Sequence, residues 1–446
     1  MLLVSLLLAS VGFIVFATTK LGLHPFLALL LAAFGFGLLS GMPPSLVVTS
    51  INQGFGGILG YIGIVILAGS IIGTFLERSG GALRIAEAVL RVTGRKNVPA
   101  AMAAVGWTVS LPVFCDSGFV ILSPLCKALA QRSRTSLAGG AIALSLGLYA
   151  THTMVPPTPG PVAAAGILGA DLGRVILWGG LVSAVALLGG WLFATRYAAR
   201  FEIPAYREGD TLPGDEALTR DAPSTTRSLL PIGLPIGLIL LGSLAKLPSK
   251  PFGDGTLAAA IGFFGEPLVA LLAGVALALA LPRDFDKRRF GADGWIGHAV
   301  VAAATILIIT GAGGAFGKVL QNSGIATLIG EALAGTGLGI WLPFLVAAGI
   351  KTAQGSSTVA ILTTSGLLAP LLDSLGLGSE TARALTVVAI GAGSMVVSHA
   401  NDSYFWVVTQ FSNMDLATGY RLHTLGTLVQ GATAAVTVWV LSLLLL

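Results

Sequence analysis

The chain has 446 residues, of which 54% are hydrophobic and 10% charged, with a mean hydropathy of +0.89. Soluble domains carry about 25% charged residues, so this composition excludes a soluble globular domain and describes a polytopic membrane protein. The formal charge of +5 is no nucleic-acid signature, because a basic excess in such chains collects in cytoplasmic loops, and two cysteines, Cys115 and Cys126, are too few for a disulfide framework or a zinc site.

Residues 1–18 form an apolar run long enough to span as a helix, about 27 Å. No basic stretch precedes it, so it reads as a retained span, not a cleaved signal. Lys20 and His24 mark a turn, and a second span runs to Leu39. A Gly/Pro/Ser/Asn segment at 41–56 then separates it from a third span at 57–76. Residues 77–97 carry Arg78, Arg84, Arg91, Arg95 and Lys96, while Leu83, Ala86, Val89 and Leu90 share one face. That pattern predicts an interfacial amphipathic helix. Residues 98–130 are apolar but broken by LPVFCDSG at 111–118, and basic patches flank them on both sides (Lys127, Arg132 and Arg134 follow), which predicts a re-entrant hairpin. A span at 136–151 ends in THTMVPPTPGP, and 175–195 spans back. The hydrophilic loop 196–228, with five arginines, divides the chain near its middle. Spans at 229–246 and 265–281 follow, then the basic loop PRDFDKRR at 282–289. A span at 297–316, a short apolar helix at 325–334, an interrupted apolar stretch at 339–372, a span at 383–398 ending in SHANDSYF and a final span at 423–446 complete the chain.

The second half repeats the first. Gly73, Leu76, Ser79, Gly80, Glu87 and Ala88 match Gly317, Leu320, Ser323, Gly324, Glu331 and Ala332 at one offset, and His152 matches His399 after a small insertion. With the basic loops placed in the cytoplasm, nineteen Lys and Arg fall there. Five fall outside (Arg174, Lys246, Lys250, Lys318 and Arg383), and Lys351 belongs to neither side. The third span then runs inward while its counterpart at 297–316 runs outward. The expected fold is an all-α polytopic membrane protein of two inverted repeats, each with a re-entrant hairpin and a broken transmembrane helix, the architecture of many secondary transporters. Its parts are N-terminal spans (1–56), a first repeat (57–195), a cytoplasmic linker (196–228), connecting spans and the basic loop (229–296) and a second repeat (297–446), with both termini outside.

The chemistry gathers at four interruptions. Lys351 opens KTAQGSSTVAIL, and a lysine at mid-bilayer costs about 2.5–3.5 kcal/mol on insertion scales. Gln354, Gly355, Ser356, Ser357 and Thr358 suggest backbone leaving the helix, which membranes tolerate where it lines an enclosed cavity. Helix N-termini there would offer N–H donors to an anion, and Lys351 a formal charge for a carboxylate. Two other readings stand for Lys351: a structural pair with Asp116 or Asp402, or a snorkelling side chain. The first hairpin offers Asp116 and Ser117, and the broken spans offer His152 and Thr158, then Ser398, His399, Asn401 and Asp402. Burial disfavours a bare carboxylate, so Asp116 and Asp402 are candidate proton carriers, and His152 and His399 join them because imidazole titrates near neutrality in water. Asp402 reads equally as a turn cap within Asn401-Asp402-Ser403. Glu87 and Glu331 read as capping or packing contacts. No metal motif and no nucleophile elbow is present, which leaves a membrane hydrolase without support.

SHANDSYFWVVTQFS at 398–412, KTAQGSSTVAILTTSG at 351–366, LPVFCDSGF at 111–119 and VPPTPGPVAAAG at 155–166 resemble the gluconate permease family across essentially the whole chain. The resemblance implies a proton-coupled symporter for gluconate or a related sugar acid, with protons as the coupling ion and no bound cofactor, dimeric and in a bacterial inner membrane. Three positions depart from the family pattern: Lys351 where arginine is common, Thr158 where histidine is common, and Cys115 where a bulkier aromatic is common. Lysine keeps the charge but loses the bidentate fork. A sodium-coupled carboxylate symporter on the same scaffold is the alternative.

Overall fold

The computed structural model describes residues 2–93, 97–205, 222–245, 251–282, 286–325, 338–399 and 402–446. Among these, helices form every regular element. The chain opens with the hairpin of α1 (Leu2–Thr19) and α2 (Pro25–Leu39), whose outer faces stay apolar, with Phe16, Leu31 and Leu38 exposed. α3 is a single long helix, Pro44–Arg78, bent by 46°. The expected break at 41–56 is therefore shorter, and the third span begins at Pro44, not 57. Proline is at home in a first helical turn. The hydroxyls that suggested a loop bond backward along the helix instead, Thr49 to Ser45 O at 2.8 Å and Ser50 to Leu46 O at 2.6 Å.

The amphipathic α4 (Gly81–Thr93) leads to the first hairpin, α5 (Val98–Val109) and α6 (Cys115–Arg132). The broken span follows as α7 (Leu137–Met154) and α8 (Pro159–Leu168), then the long α9 (Leu172–Arg196). α10 (Thr225–Ala245) precedes α11 (Thr256–Phe264) and α12 (Pro267–Leu279), which meet at 64°; α12 fills most of the span expected at 265–281, and α11 is a further apolar helix ahead of it. The second half runs α13 (Trp295–Asn322), the hairpin α14 (Trp341–Gln354) and α15 (Ser357–Leu368), α16 (Glu380–Gly393), α17 (Ser403–Phe411) and α18 (Leu425–Leu445). The short helix expected at 325–334, with Glu331, lies almost wholly outside the described residues. Among the described helices, four are long and apolar enough to cross a membrane, and six if each bent pair counts as one span.

The sequence repeat reappears as local geometry. Ser79 and Ser323 cap their helices, Gly80 and Gly324 each follow at φ 76°, and each serine hydroxyl accepts the backbone N–H two residues on, at 3.3 and 3.4 Å. Glycine is the residue that takes such a φ without Cβ strain. The two long helices carrying these caps pack antiparallel. Ser70 donates to Ala299 O at 2.9 Å near one end, and Asn322 Nδ2 donates to Ser50 Oγ at 2.8 Å near the other. Between them a Cβ on Gly54 would stand 2.4 Å from the Gly314 carbonyl oxygen. Overpacking a well-filled interface costs about 1–3 kcal/mol, occasionally more. Gly54→Leu should therefore lower the thermal midpoint and the folded yield, whereas Gly56→Leu, with nothing within 4 Å, should leave both unchanged. Equal midpoints for the two variants would contradict this packing.

The halves also exchange arms: α8 packs on α15, and α17 on α6. The segments assigned to one side by charge meet one another, with Arg84 Nε donating to Pro223 O at 3.2 Å, Asn413 Nδ2 to Pro204 O at 3.1 Å, and Arg227 to Ala280 O. Those assigned to the other side do likewise. Arg174 pairs with Glu380 at 2.6 Å, and Arg383 reaches Leu168 O at 3.4 Å. Glu87, expected as a capping or packing contact, instead pairs with Arg84 at 2.8 Å on its own helix.

Candidate functional site at the hairpin tips

The second hairpin turns where KTAQGSST places its glycine. Gly355 sits at φ 94° and its N–H caps α14 by donating to Lys351 O at 2.8 Å. Ser356 opens α15, its hydroxyl accepting from Val359 N at 3.3 Å, the usual role of serine before a helix. Lys351 lies in the last turn of α14 with no exposed surface, and its Nζ donates to Gly355 O. The cation thus sits at the negative end of its helix. Gly355→Ala should destabilise the tip by about 1–3 kcal/mol, since a Cβ strains this φ, and should cut transport by displacing the carbonyl that holds Lys351. Uptake at wild-type level in that variant would speak against a positioned tip.

The partner of Lys351 is Asp402. Their side chains meet at 2.5 Å, with Asp402 only 5% exposed. Asp402 is at once ion-pair partner and cap: Oδ1 accepts from Tyr404 N at 3.0 Å, opening α17. Oδ2 also accepts from Ser398 Oγ at 2.5 Å and from the Tyr149 hydroxyl at 3.4 Å. The backbone between α16 and α17 is strained, because Val397 has φ 55°, a conformation that β-branched residues avoid. The start of α18 holds the strain in place: Thr424 Oγ1 donates to Ser398 O at 2.6 Å, and Ser398 N donates to Thr427 Oγ1 at 3.1 Å. Strain held this firmly is typical of functional positions.

The other expected residues divide. Asp116, in the first turn of α6, and His152, in the last turn of α7, lie within electrostatic reach of Asp402, and Asp116 also of Lys351. Asp116 Oδ1 and His152 Nδ1 are buried with no hydrogen-bond partner among the described residues. His399 Nε2 donates to Thr352 O at 2.9 Å, tying the second broken span to the hairpin. Ser357 faces the Tyr149 hydroxyl, and Ser117 faces Glu77 of α3. The Thr158 hydroxyl donates to Val155 O at 2.6 Å within the α7–α8 break. Thr358 is half-buried in the first turn of α15. Asn401 and the Gln354 side chain lie outside the described residues.

Two residues were not legible as site members. Tyr149, three residues before His152, bonds Asp402 and places its ring centroid 5.9 Å from Lys351 Nζ. Its signal was a lone polar aromatic inside an apolar span. His423, two residues after the basic Arg421, reads in sequence as the edge of the final span, yet it is fully buried behind Ser398. A cavity of about 350 Å³, lined by Lys318, Asp373 and Arg383, lies elsewhere, at the far end of α15. Twelve helical residues, about 18 Å, separate it from the tip.

Buried charge held on interrupted helices inside a polytopic bundle is the construction of a membrane transport protein. The profile of the GntP family permeases matches residues 1–444. The chain is 36% identical to a gluconate permease of Pseudomonas aeruginosa, covering 100% of this chain and 98% of the relative. It is 34% identical to the D-serine transporter DsdX of Escherichia coli, over 99% of this chain and 98% of that one. The crystal structure of the Alcanivorax borkumensis YdaH transporter, at 16% identity, superposes with a TM-score of 0.65 over 94% of this chain and 98% of its own, a likeness of fold. The chain belongs to the GntP permease family: it is a multi-pass membrane transporter and not an enzyme.

Proposed function

We propose that the chain is a proton-coupled importer of a small hydroxylated carboxylate, gluconate or a related sugar acid, working by alternating access in a bacterial inner membrane. The observation that carries this reading is the sealed Lys351–Asp402 pair at the meeting of a hairpin tip and a broken helix. A lysine already matched to a carboxylate is a ready site for a substrate carboxylate, provided its own partner is neutralised. In the proposed cycle a proton discharges Asp402, and Lys351 and the α15 N-terminus then take up the substrate. Its hydroxyls meet Ser356, Ser357, Thr358, Ser117 and Asn401. Asp116, His152 and His399 complete the polar wall. Inverted repeats fit the antiparallel α3 and α13 and the exchanged arms. A homodimer and outward termini belong to the same reading.

The relatives' substrates, gluconate and D-serine, share a carboxylate beside a hydroxylated carbon chain. A thermal-shift screen of purified protein against gluconate, other aldonates, glycerate and D-serine, at two pH values, should give the largest stabilisation with an aldonate and more of it at the lower pH. Uptake should persist when sodium is removed; uptake that stops would move the chain to the sodium-coupled class.

A further inference from the structure

We propose that His423 is the proton-bearing partner of Asp402, with the Ser398 hydroxyl as the relay between them. The inference rests on the proton-coupled reading above. His423 lies in a π-helical turn, Tyr420–Thr424, a distortion that recurs at functional sites. It has no exposed surface and is walled by the rings of Tyr404 and Phe405 at 5.4 and 6.0 Å. Each ring nitrogen faces one serine: Nδ1 is 3.4 Å from Ser145 Oγ, and Nε2 is 3.2 Å from Ser398 Oγ.

The serines' own protons decide what they can offer. Ser398 directs its hydroxyl proton to Asp402 Oδ2 at 2.5 Å, so it presents a lone pair to His423. Ser145 directs its proton to Ile142 O at 3.0 Å, so it presents a lone pair as well. Two lone pairs call for two N–H donors, which is the cationic imidazole. The neutral ring left when Nε2 gives up its proton fits as simply, because Nδ1–H still donates to Ser145 while Nε2 accepts from the Ser398 hydroxyl. The charged and titratable groups facing this ring are Asp402 through Ser398, Lys351 beyond it, and Tyr404. Tyr420 and Arg421, on the same turn, are exposed.

The transfer is balanced. The Nε2 proton of His423 passes to Ser398 Oγ as the Ser398 hydroxyl proton passes to Asp402 Oδ2. The ring loses one proton, the carboxylate gains one, and the serine keeps one. Each hydrogen bond survives with its direction reversed. Neutral Asp402 then releases Lys351 for the substrate carboxylate.

Purified full-length protein in liposomes, given labelled gluconate and an imposed pH gradient, tests this. Wild type should accumulate gluconate. His423→Gln, which keeps an amide donor and acceptor, should lose accumulation by at least about tenfold, and exchange of internal for external gluconate should fall with it, because Asp402 stays charged and holds Lys351. Ser398→Ala should behave in the same way. Adding Asp402→Asn to His423→Gln, which removes the need for the proton, should restore exchange but not accumulation. Accumulation preserved in both single variants would overturn the relay and leave the coupling reading standing. Exchange that stays lost when Asp402→Asn is added would overturn it too, by making His423 structural. A wild type that does not accumulate gluconate under the gradient would sink the coupling reading and the relay with it.

Discussion

Lys351→Gln should abolish uptake, by at least about 100-fold, and should also destabilise the fold. Lys351 and Asp402 are both buried and in contact at 2.5 Å. Removing one member of such a pair leaves a bare charge in the interior and costs about 3–5 kcal/mol. Each 1.4 kcal/mol is about a factor of ten in an equilibrium, so the loss falls well outside assay scatter. Lys351→Arg should retain measurable uptake, because it keeps the charge where the family resemblance has arginine. The informative variant combines Lys351→Gln with Asp402→Asn. With both charges gone, neither is stranded, and thermal stability should recover most of what Lys351→Gln lost. Transport should not recover, since the cation that the proposed cycle needs for the substrate carboxylate is still missing. A double variant that transports like wild type would reduce the pair to a structural strut.

Asp402→Asn should remove the pH dependence of gluconate binding. In the proposed cycle a proton discharges Asp402 before Lys351 is free, so binding should tighten as pH falls. The asparagine variant is discharged at every pH and should bind equally well across the range, while losing accumulation under a pH gradient. Isothermal titration at two pH values, with uptake in parallel, measures both. A variant that still binds more tightly at lower pH would assign the coupling proton elsewhere, Asp116 being the nearest other acid named at the site. Asp402→Ala separates the second role of this side chain. Asparagine still caps α17 through Tyr404 N, but alanine cannot, and a lost cap costs about 1 kcal/mol. Asp402→Ala should therefore melt below Asp402→Asn by about that amount.

Several features of the site follow from local chemistry and were legible without a structure. LPVFCDSG and KTAQGSST each interrupt an apolar stretch, and each is a hairpin turn. The Ser-Gly pairs at 79–80 and 323–324, matched by offset, are two copies of one cap with the same φ of 76°. What misled was composition without partners. Residues 44–56 look like a loop because they are rich in hydroxyls and glycine, but the hydroxyls bond within α3, and the two Gly54 hydrogens are what let α13 approach.

The sequence by itself determined that the chain crosses a membrane and where its two hairpins turn. Hydropathy and turn chemistry act over a few residues, and so can be read along the chain. It left open which acid meets Lys351, because Asp116 and Asp402 carry the same charge in the same kind of interruption. Only tertiary packing decided that. The α16–α17 break, pinned through Ser398 by Thr424 and Thr427, carries Asp402 across 51 residues of sequence to the hairpin tip, 2.5 Å from Lys351. The same packing turned His423 from the edge of a span into a fully buried base behind Ser398. Burial of a polar side chain is a property of what surrounds it, and those surroundings come from helices far away in the chain.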